Sequence, residues 1–434
     1  MERVPVLVAG GGLAGLTAAS RLGDRALVLE RAERPGGLLL SPTAAGFTID
    51  LVPHVFFTRD RTALDFFRTA VGRGRFARIE SDVRVHSHST LTRFPFQCCL
   101  HGLPPDVIVE CIAELADAMA IPPGEARSFA DYVRRSFGGG IARHFLTPYN
   151  QKLWGVEDLA DLTASWVGGK VILPELQDVL DGAIRDRRYG KLPNAVIRYP
   201  RHGGIETLAR GVAARVLHLS LSTKLESVDV RGRVARTSTG REIAYDALVW
   251  TLPLAALPAV VPALPGEVRS AVLALRFRDV IAVHLGIGRE RVVPWHWMYY
   301  PEPRHPFYRV SFPSNLAPST VPAGCSSVIA EVAVPPGEPV DEPALAARCV
   351  DALVESGILR CDDEIRFQAA WRVSPAYVVY DHSREAAVRV IHDFLRGHRI
   401  LPAGRFGEWR FFNMDHTVLS GMQAAAAAAS LLHG

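Results

Sequence analysis

Apolar and polar positions fall into recognisable periods from the start of the chain. Residues 4–8 form a short apolar run, residues 16–22 a helical apolar repeat, and residues 26–29 a second apolar run ending on Glu30. This spacing predicts strand, helix and strand. Residues 83–96 read as a strand pair that turns through His86-Ser87-His88-Ser89-Thr90. Residues 106–120 and 128–137 carry helical spacing, punctuated by Gly138-Gly139-Gly140. Strand-like alternation returns over 220–251, at 225–230, 234–237 and 247–250. Residues 278–335 and 366–378 read as a second sheet, with a helix over 342–356 between them. The last stretch, 400–434, reads as a strand, a Gly-Arg-Phe-Gly turn and a final helix whose alanines at 424–429 suit close packing.

The first strand and helix are joined by Gly10-Gly11-Gly12-Leu13-Ala14-Gly15. A glycine turn alone says little, but here it sits between strand and helix and has an acid at the right distance. Gly10 makes the tight turn, Gly12 lets backbone approach a pyrophosphate, and Gly15 lets helix pack on strand. The helix start offers free N–H groups to phosphates. Glu30 stands where a carboxylate accepts hydrogen bonds from an adenosine ribose. Gly36-Gly37 follow Glu30 at a spacing similar to that of many flavoproteins, which favours FAD over NAD. The expected fold is α/β: a Rossmann-type FAD-binding domain, an inserted helical domain, and a second, mainly antiparallel β-sheet domain. The FAD-binding domain is discontinuous, at 1–75, 195–260 and 395–434. The helical substrate domain covers 100–190, and the β-sheet substrate domain covers 76–99 and 261–394.

Composition narrows the class. At 434 residues, 48% hydrophobic and 22% charged, the chain builds a large core. A net charge of only +4 does not argue for nucleic acid or an anionic membrane as the main partner, and neither nucleic-acid binding nor membrane insertion is expected. No apolar run reaches membrane-spanning length. The first strand begins at once, so a cytoplasmic enzyme without a signal peptide is expected. The six cysteines form no CxxC pair and no metal-ligand spacing, so reduced thiols and no metal are expected.

Polar and aromatic clusters carry the rest of the signal. They are Val52-Pro53-His54-Val55-Phe56, Phe94-Pro95-Phe96-Gln97, Pro148-Tyr149-Asn150-Gln151-Lys152-Leu153-Trp154, Pro193-Asn194, Tyr299-Tyr300-Pro301, Phe307-Tyr308-Arg309, Gly404-Arg405-Phe406-Gly407-Glu408-Trp409-Arg410 and Asn413-Met414-Asp415-His416. Singly, each has a structural explanation as a turn cap or surface stack. In order and spacing, over nearly the whole chain, they resemble the UDP-galactopyranose mutases, the eukaryotic branch in particular, within the flavin amine-oxidase-like superfamily.

The resemblance implies an isomerase that interconverts pyranose and furanose rings of a nucleotide sugar. In that family the N5 of reduced FAD attacks the anomeric carbon and displaces the nucleoside diphosphate, with NAD(P)H or another reductant activating the flavin. It implies catalytic roles for His54 against the flavin, for Arg309 on the diphosphate and for Lys170 as a second cation. Asn194 would bind a sugar hydroxyl, Tyr299 and Tyr377 would donate hydroxyls, and Phe411 would line the substrate site. Phe96 would stack on the nucleobase and Gln97 would read its edge. Asn150 and Trp154 share a helix face and either line the pocket or, for Trp154, fill the core. Ala14, Arg31, Arg84, Leu225, Arg405, Asn413 and Met414 join the glycines and Glu30 in the cofactor set. The implied partner is a nucleotide sugar, and a homo-oligomer stays open.

Several positions depart from the family pattern. Lys170 stands for an arginine, Leu316 and Phe411 for tyrosines, Phe94 for the base-side tyrosine, and Pro53 for a glycine before the flavin histidine. The loss of hydroxyls and of one guanidinium thins the diphosphate clamp and points to a substrate other than UDP-galactopyranose. Two alternatives share the N-terminal fingerprint: an oxidase or desaturase of the amine-oxidase type, and a flavin-binding protein without catalysis.

Overall fold

The computed structural model describes every residue except 73, 122, 123, 169, 170 and 434. Its architecture is the expected mixed α/β one, organised on two seven-stranded sheets. In the first, Glu2–Ala9 lies between Ala26–Leu29 and Glu242–Trp250, parallel to both. His218–Ser220 extends one side in parallel, and Leu225–Asp229 and Val234–Thr237 form an antiparallel ribbon on the other. Ile400–Pro402 runs parallel to the C-terminal end of Glu242–Trp250. Early, middle and late segments therefore meet in one sheet. Val6, Val8, Val28, Ala247 and Val249 are buried on one of its faces against Ala424, Ala425 and Ala428 of the last helix, Met414–His433. A Cβ on Gly421 would lie 2.5 Å from the Ala14 carbonyl oxygen, so the small residues let this helix cross Leu13–Leu22 closely.

The second sheet runs Ile365–Val378, Phe277–Ile287, Ser326–Val334, Arg309–Ser311, Trp297–Tyr299, Val83–Ser87 and Thr90–Arg93. All pairings are antiparallel except Trp297–Tyr299 with Val83–Ser87. The strand Val83–Ser87 takes in His86 and Ser87, which were expected in the turn; the reversal falls on His88 and Ser89, both with positive φ. His86 is buried because strand alternation turns it under the Tyr300 ring.

Between the sheets in sequence lies a helical region. Pro105–Met119 and Phe129–Ile141 cross where a Cβ on Gly140 would meet Cys111 backbone at 2.8 Å. The three glycines thus create a helix contact, with non-helical backbone only at Gly138. Helices at Arg61–Val71, Gly266–Leu273 and Arg384–Gly397 are further elements, not anticipated from spacing. All six cysteines are free. Among the described residues no helix is long and apolar enough to cross a membrane.

Candidate functional site

The glycine turn has the geometry of a dinucleotide cradle. Gly10 sits at φ +104°, and a Cβ on Gly15 would lie 2.0 Å from the Gly10 carbonyl oxygen. Gly12, by contrast, faces open space, and it caps the helix Leu13–Leu22 without a side-chain hydrogen bond. The first-turn N–H groups stay available beside that space, as a phosphate requires. Gly36 donates its N–H to the Gly11 carbonyl at 2.9 Å, and Gly37 at φ +58° comes against Gly12, so the two glycine segments form one surface. Glu30 is oriented at the end of its strand by N–H groups of Gly11 (2.7 Å) and Ala32 (2.8 Å). These features fit FAD. Ala14 is buried in the helix start, Arg31 is exposed next to Glu30, and the Leu225 side chain is packed into the core, leaving only its backbone for a ligand.

A cavity of about 270 Å³ opens nearby, lined by Asp50, Pro53, His54, Phe94, Asn194, Tyr299, Arg309, Leu316, Phe411 and Asn413 among others. Strand register builds its charged wall. Arg309 and Glu331 face each other across adjacent antiparallel strands. Glu331 is 1% exposed and accepts from Arg309 Nε and Nη2 and, at 3.1 Å, from the Tyr308 hydroxyl. The Tyr308 hydroxyl also lies 3.3 Å from that of Tyr377. Burial opposes the Arg309 charge, but Glu331 and the neighbouring tyrosines outweigh it and hold the guanidinium well above its ordinary pKa. Burial also raises the Tyr299 hydroxyl, keeping it protonated.

His54 Nδ1–H donates to the Val52 carbonyl at 2.9 Å, which leaves Nε2 as the acceptor of a neutral ring. Burial, with the charges of Arg405 and Arg309, pulls its pKa down to about 4. Asp50 is bound by the Ser41 and Tyr199 hydroxyls and the Ile205 N–H; burial still lifts it to about 6. Arg405 donates to the carbonyls of Ala376 (2.8 Å) and Phe412 (3.1 Å) and lies over the Tyr377 and Phe411 rings. It clamps the 404–412 turn onto the second sheet, behind the cavity. Asn413 borders the cavity, and buried Met414 starts the last helix.

Other candidates lie elsewhere. Phe96 is fully buried and stacks on Phe145 at 5.1 Å, and Gln97 donates to the Ile172 carbonyl at 2.9 Å. Neither lines the cavity itself: Phe96 packs into the helical region and Gln97 holds Ile172, which does line it, as does Phe94 against Tyr299. Asn150 does share a helix face with Trp154, but the two are spent on each other. Trp154 Nε1–H donates to Asn150 Oδ1 at 2.9 Å, and Asn150 donates to the Leu146 carbonyl, both within the core. Arg84 pairs with Asp82 at 3.2 Å and lies over Trp295, off the cavity wall. Lys170 lies outside the described residues.

Two supporting groups have roles that the sequence pattern does not assign. Lys152, within the Pro-Tyr-Asn motif, donates to the carbonyls of Tyr300, Glu302 and Phe307 at 2.7–3.0 Å, pinning the loop between Tyr299 and Arg309. Burial lowers this ammonium to about 7, against three acceptors that match its three hydrogens. Glu331 could have been found as a lone acid in an otherwise apolar strand, because a buried carboxylate demands a partner. A second, more open cavity of about 530 Å³ lies beyond Phe411, lined by Arg384, Arg389, Arg396 and Arg410 with Glu385 and Glu408. It takes Glu408, Arg410 and His416 from the C-terminal motifs, but Phe411 is the one candidate site residue in its wall.

The pattern of flavin containing amine oxidoreductases matches residues 13–428, and the chain belongs to that family. The fold superposes with a TM-score of 0.92 on a reduced UDP-galactopyranose mutase, at 26% identity over 99% of this chain and 96% of that one. The same fold is shared with a putative protoporphyrinogen oxidase from Exiguobacterium sp. 255-15 (TM-score 0.73, 16% identity, covering 100% and 99%). It is shared too with putrescine oxidase bound to putrescine (TM-score 0.66, 15% identity, 99% of each chain).

Proposed function

We propose that this chain is an FAD-dependent nucleotide-sugar mutase that exchanges pyranose and furanose rings. The observation that carries the reading is Arg309, a guanidinium fixed in the cavity wall by Glu331. That pairing uses two of its nitrogens, and Nη1 remains to meet a phosphate oxygen. Arg309 would hold the nucleoside diphosphate beside the sugar and stabilise its charge on departure. Reduced FAD, when bound, would supply a nucleophilic nitrogen for the anomeric carbon. Tyr299 and Tyr377 would add hydroxyl donors, Asn194 would bind a sugar hydroxyl, and neutral His54 would offer Nε2 as an acceptor. Phe94, Ile172 and Leu192 give the cavity an apolar end suited to a nucleobase. Lys170 would be a second cation, and NAD(P)H or another reductant would prime the flavin. Leu316, Phe94 and Phe411 make the wall poorer in hydroxyls than the family pattern, so the substrate is assigned outside standard UDP-galactopyranose.

The amine-oxidase reading fits the cavity less well. A cationic amine would face Arg309, while both nearby carboxylates are committed: Glu331 to Arg309 and Tyr308, Asp50 to three donors. Titration of the flavin-loaded protein with nucleoside diphosphates and with diamines separates the two. Saturable flavin-fluorescence changes with the diphosphates, weakened in Arg309→Lys, support the mutase. Peroxide release with an amine and no response to any diphosphate would overturn it.

A further inference from the structure

Behind the 300–308 loop lies a cluster that the mutase reading does not use. Glu302 and His305 are brought together by a turn in which the His305 N–H donates to the Glu302 carbonyl at 3.3 Å. His86 reaches them from the strand Val83–Ser87, its ring edge-on to that of His305 at 5.1 Å between centroids. One ligand atom from each of the three lies within 4.8 Å of the others, the only such trio among the described residues.

The polar accounting here is open. His305 is 1% exposed, yet neither ring nitrogen has a hydrogen-bond partner; His86, 5% exposed, has none at Nδ1. Leaving a buried donor or acceptor unmade costs stability, and a phenylalanine would pack against Tyr300 and Phe307 without that cost. The neighbouring histidines differ: His88 meets His144 at 3.1 Å, and His144 meets Glu110 at 2.8 Å, so their needs are closed internally. Glu302 accepts from the His88 N–H and from Arg304, which leaves lone pairs on both oxygens.

We propose that His86, Glu302 and His305 form a binding site for a divalent transition metal of the Zn2+ type, separate from the substrate cavity. Two imidazoles and a carboxylate are a borderline nitrogen–oxygen donor set, which suits Zn2+ and not Mg2+ or Ca2+. A tetrahedral site brings ligand atoms to about 3.3 Å of one another for bonds of about 2.0–2.1 Å. The half-buried Glu302 side chain supplies the movement. Because Lys152 already fixes the carbonyls of Tyr300, Glu302 and Phe307, two of the ligands, Glu302 and His305, sit on a pinned loop. A bound ion would tie that loop to the strand Val83–Ser87, and with it the spacing of Tyr299 and Arg309 at the loop's two ends.

The test is calorimetric titration of the chelator-treated, untagged full chain with Zn2+, alongside His305→Leu, His86→Leu and His144→Ala. The expected result is one Zn2+ per chain with a raised Tm, lost in the first two variants and kept in the third. No stoichiometric binding, or binding that survives both leucine substitutions, overturns the site and leaves a buried water as the partner of His305. Where a leucine variant fails to fold, Co2+ added to the unmodified chain decides. An intense tetrahedral ligand-field band supports the proposal and its absence overturns it. The readout is independent of substrate, so the mutase reading and the metal site fail separately.

Discussion

The glycine cradle and the cavity around Arg309 are built in opposite ways. The cradle is made of missing side chains: Gly12 faces open space, and Gly15 permits a contact that a single methyl would block. The cavity is made of side chains holding side chains, with Glu331 fixing Arg309 and Tyr308, and Tyr308 meeting Tyr377. Backbone-defined sites fail abruptly when anything is added. Network-defined sites degrade by degrees, according to which partner is removed.

Substitution of Gly15 by alanine gives the largest expected effect. The new Cβ meets backbone, which a side-chain rotation cannot relieve, and the loss is about 3 kcal/mol or more. Chemical denaturation should show that drop together with loss of bound flavin absorbance; a flavin-loaded variant of normal stability would break the contrast. Next comes Arg309→Lys, which keeps a charge against Glu331 but loses the fork. Diphosphate-dependent turnover should fall on the order of 100-fold, with the flavin spectrum unchanged. Arg309→Ala is a harsher probe, since an unpaired buried Glu331 costs about 3–5 kcal/mol of stability as well.

Acid should destabilise the chain through its buried histidines. His54, His284 and His392 are buried with pKa values lowered to about 4, about 3 and about 4. Above about pH 6.5 they are neutral in both folded and unfolded chains. As pH falls below that, the unfolded chain takes protons first, so stability declines down to about pH 4. Asp50, raised to about 6, runs the other way and offsets part of the loss. A Tm that fell between about pH 7 and 5 would agree with this; a flat or rising Tm would not. The smallest effect is Tyr377→Phe, which removes one hydroxyl contact with Tyr308. A loss of about 1 kcal/mol, or roughly 5-fold in turnover, is expected, without a change in flavin binding.

The same contrast explains what could be read in the sequence. Gly10, Gly12, Gly15, Glu30 and Gly36 report backbone constraints that act within a short segment, so spacing alone exposes them. Arg309 stands out by its motif, but its partner Glu331 is set by strand register, which no local pattern reveals. Phe96 and Gln97 have the composition of a base site, and only tertiary packing against Phe145 and Ile172 shows them turned inward. His86 looked like a turn residue because it sits among polar neighbours, while strand pairing through Ser87 carries it into the core. Gly138-Gly139-Gly140 read as a break and proved to be a helix crossing, since the demand for glycine came from the other helix.

The central claim is that the cavity takes a nucleotide sugar and rearranges it without net oxidation. The most direct measurement incubates the flavin-loaded protein, oxidised or dithionite-reduced, with a panel of nucleotide sugars differing in base and sugar, and resolves the products chromatographically. Furanose product from at least one of them, with reduced protein only and without peroxide, is the expected result. Turnover by the oxidised protein with peroxide release, and no ring-contracted product from any member of the panel once it is reduced, would contradict it.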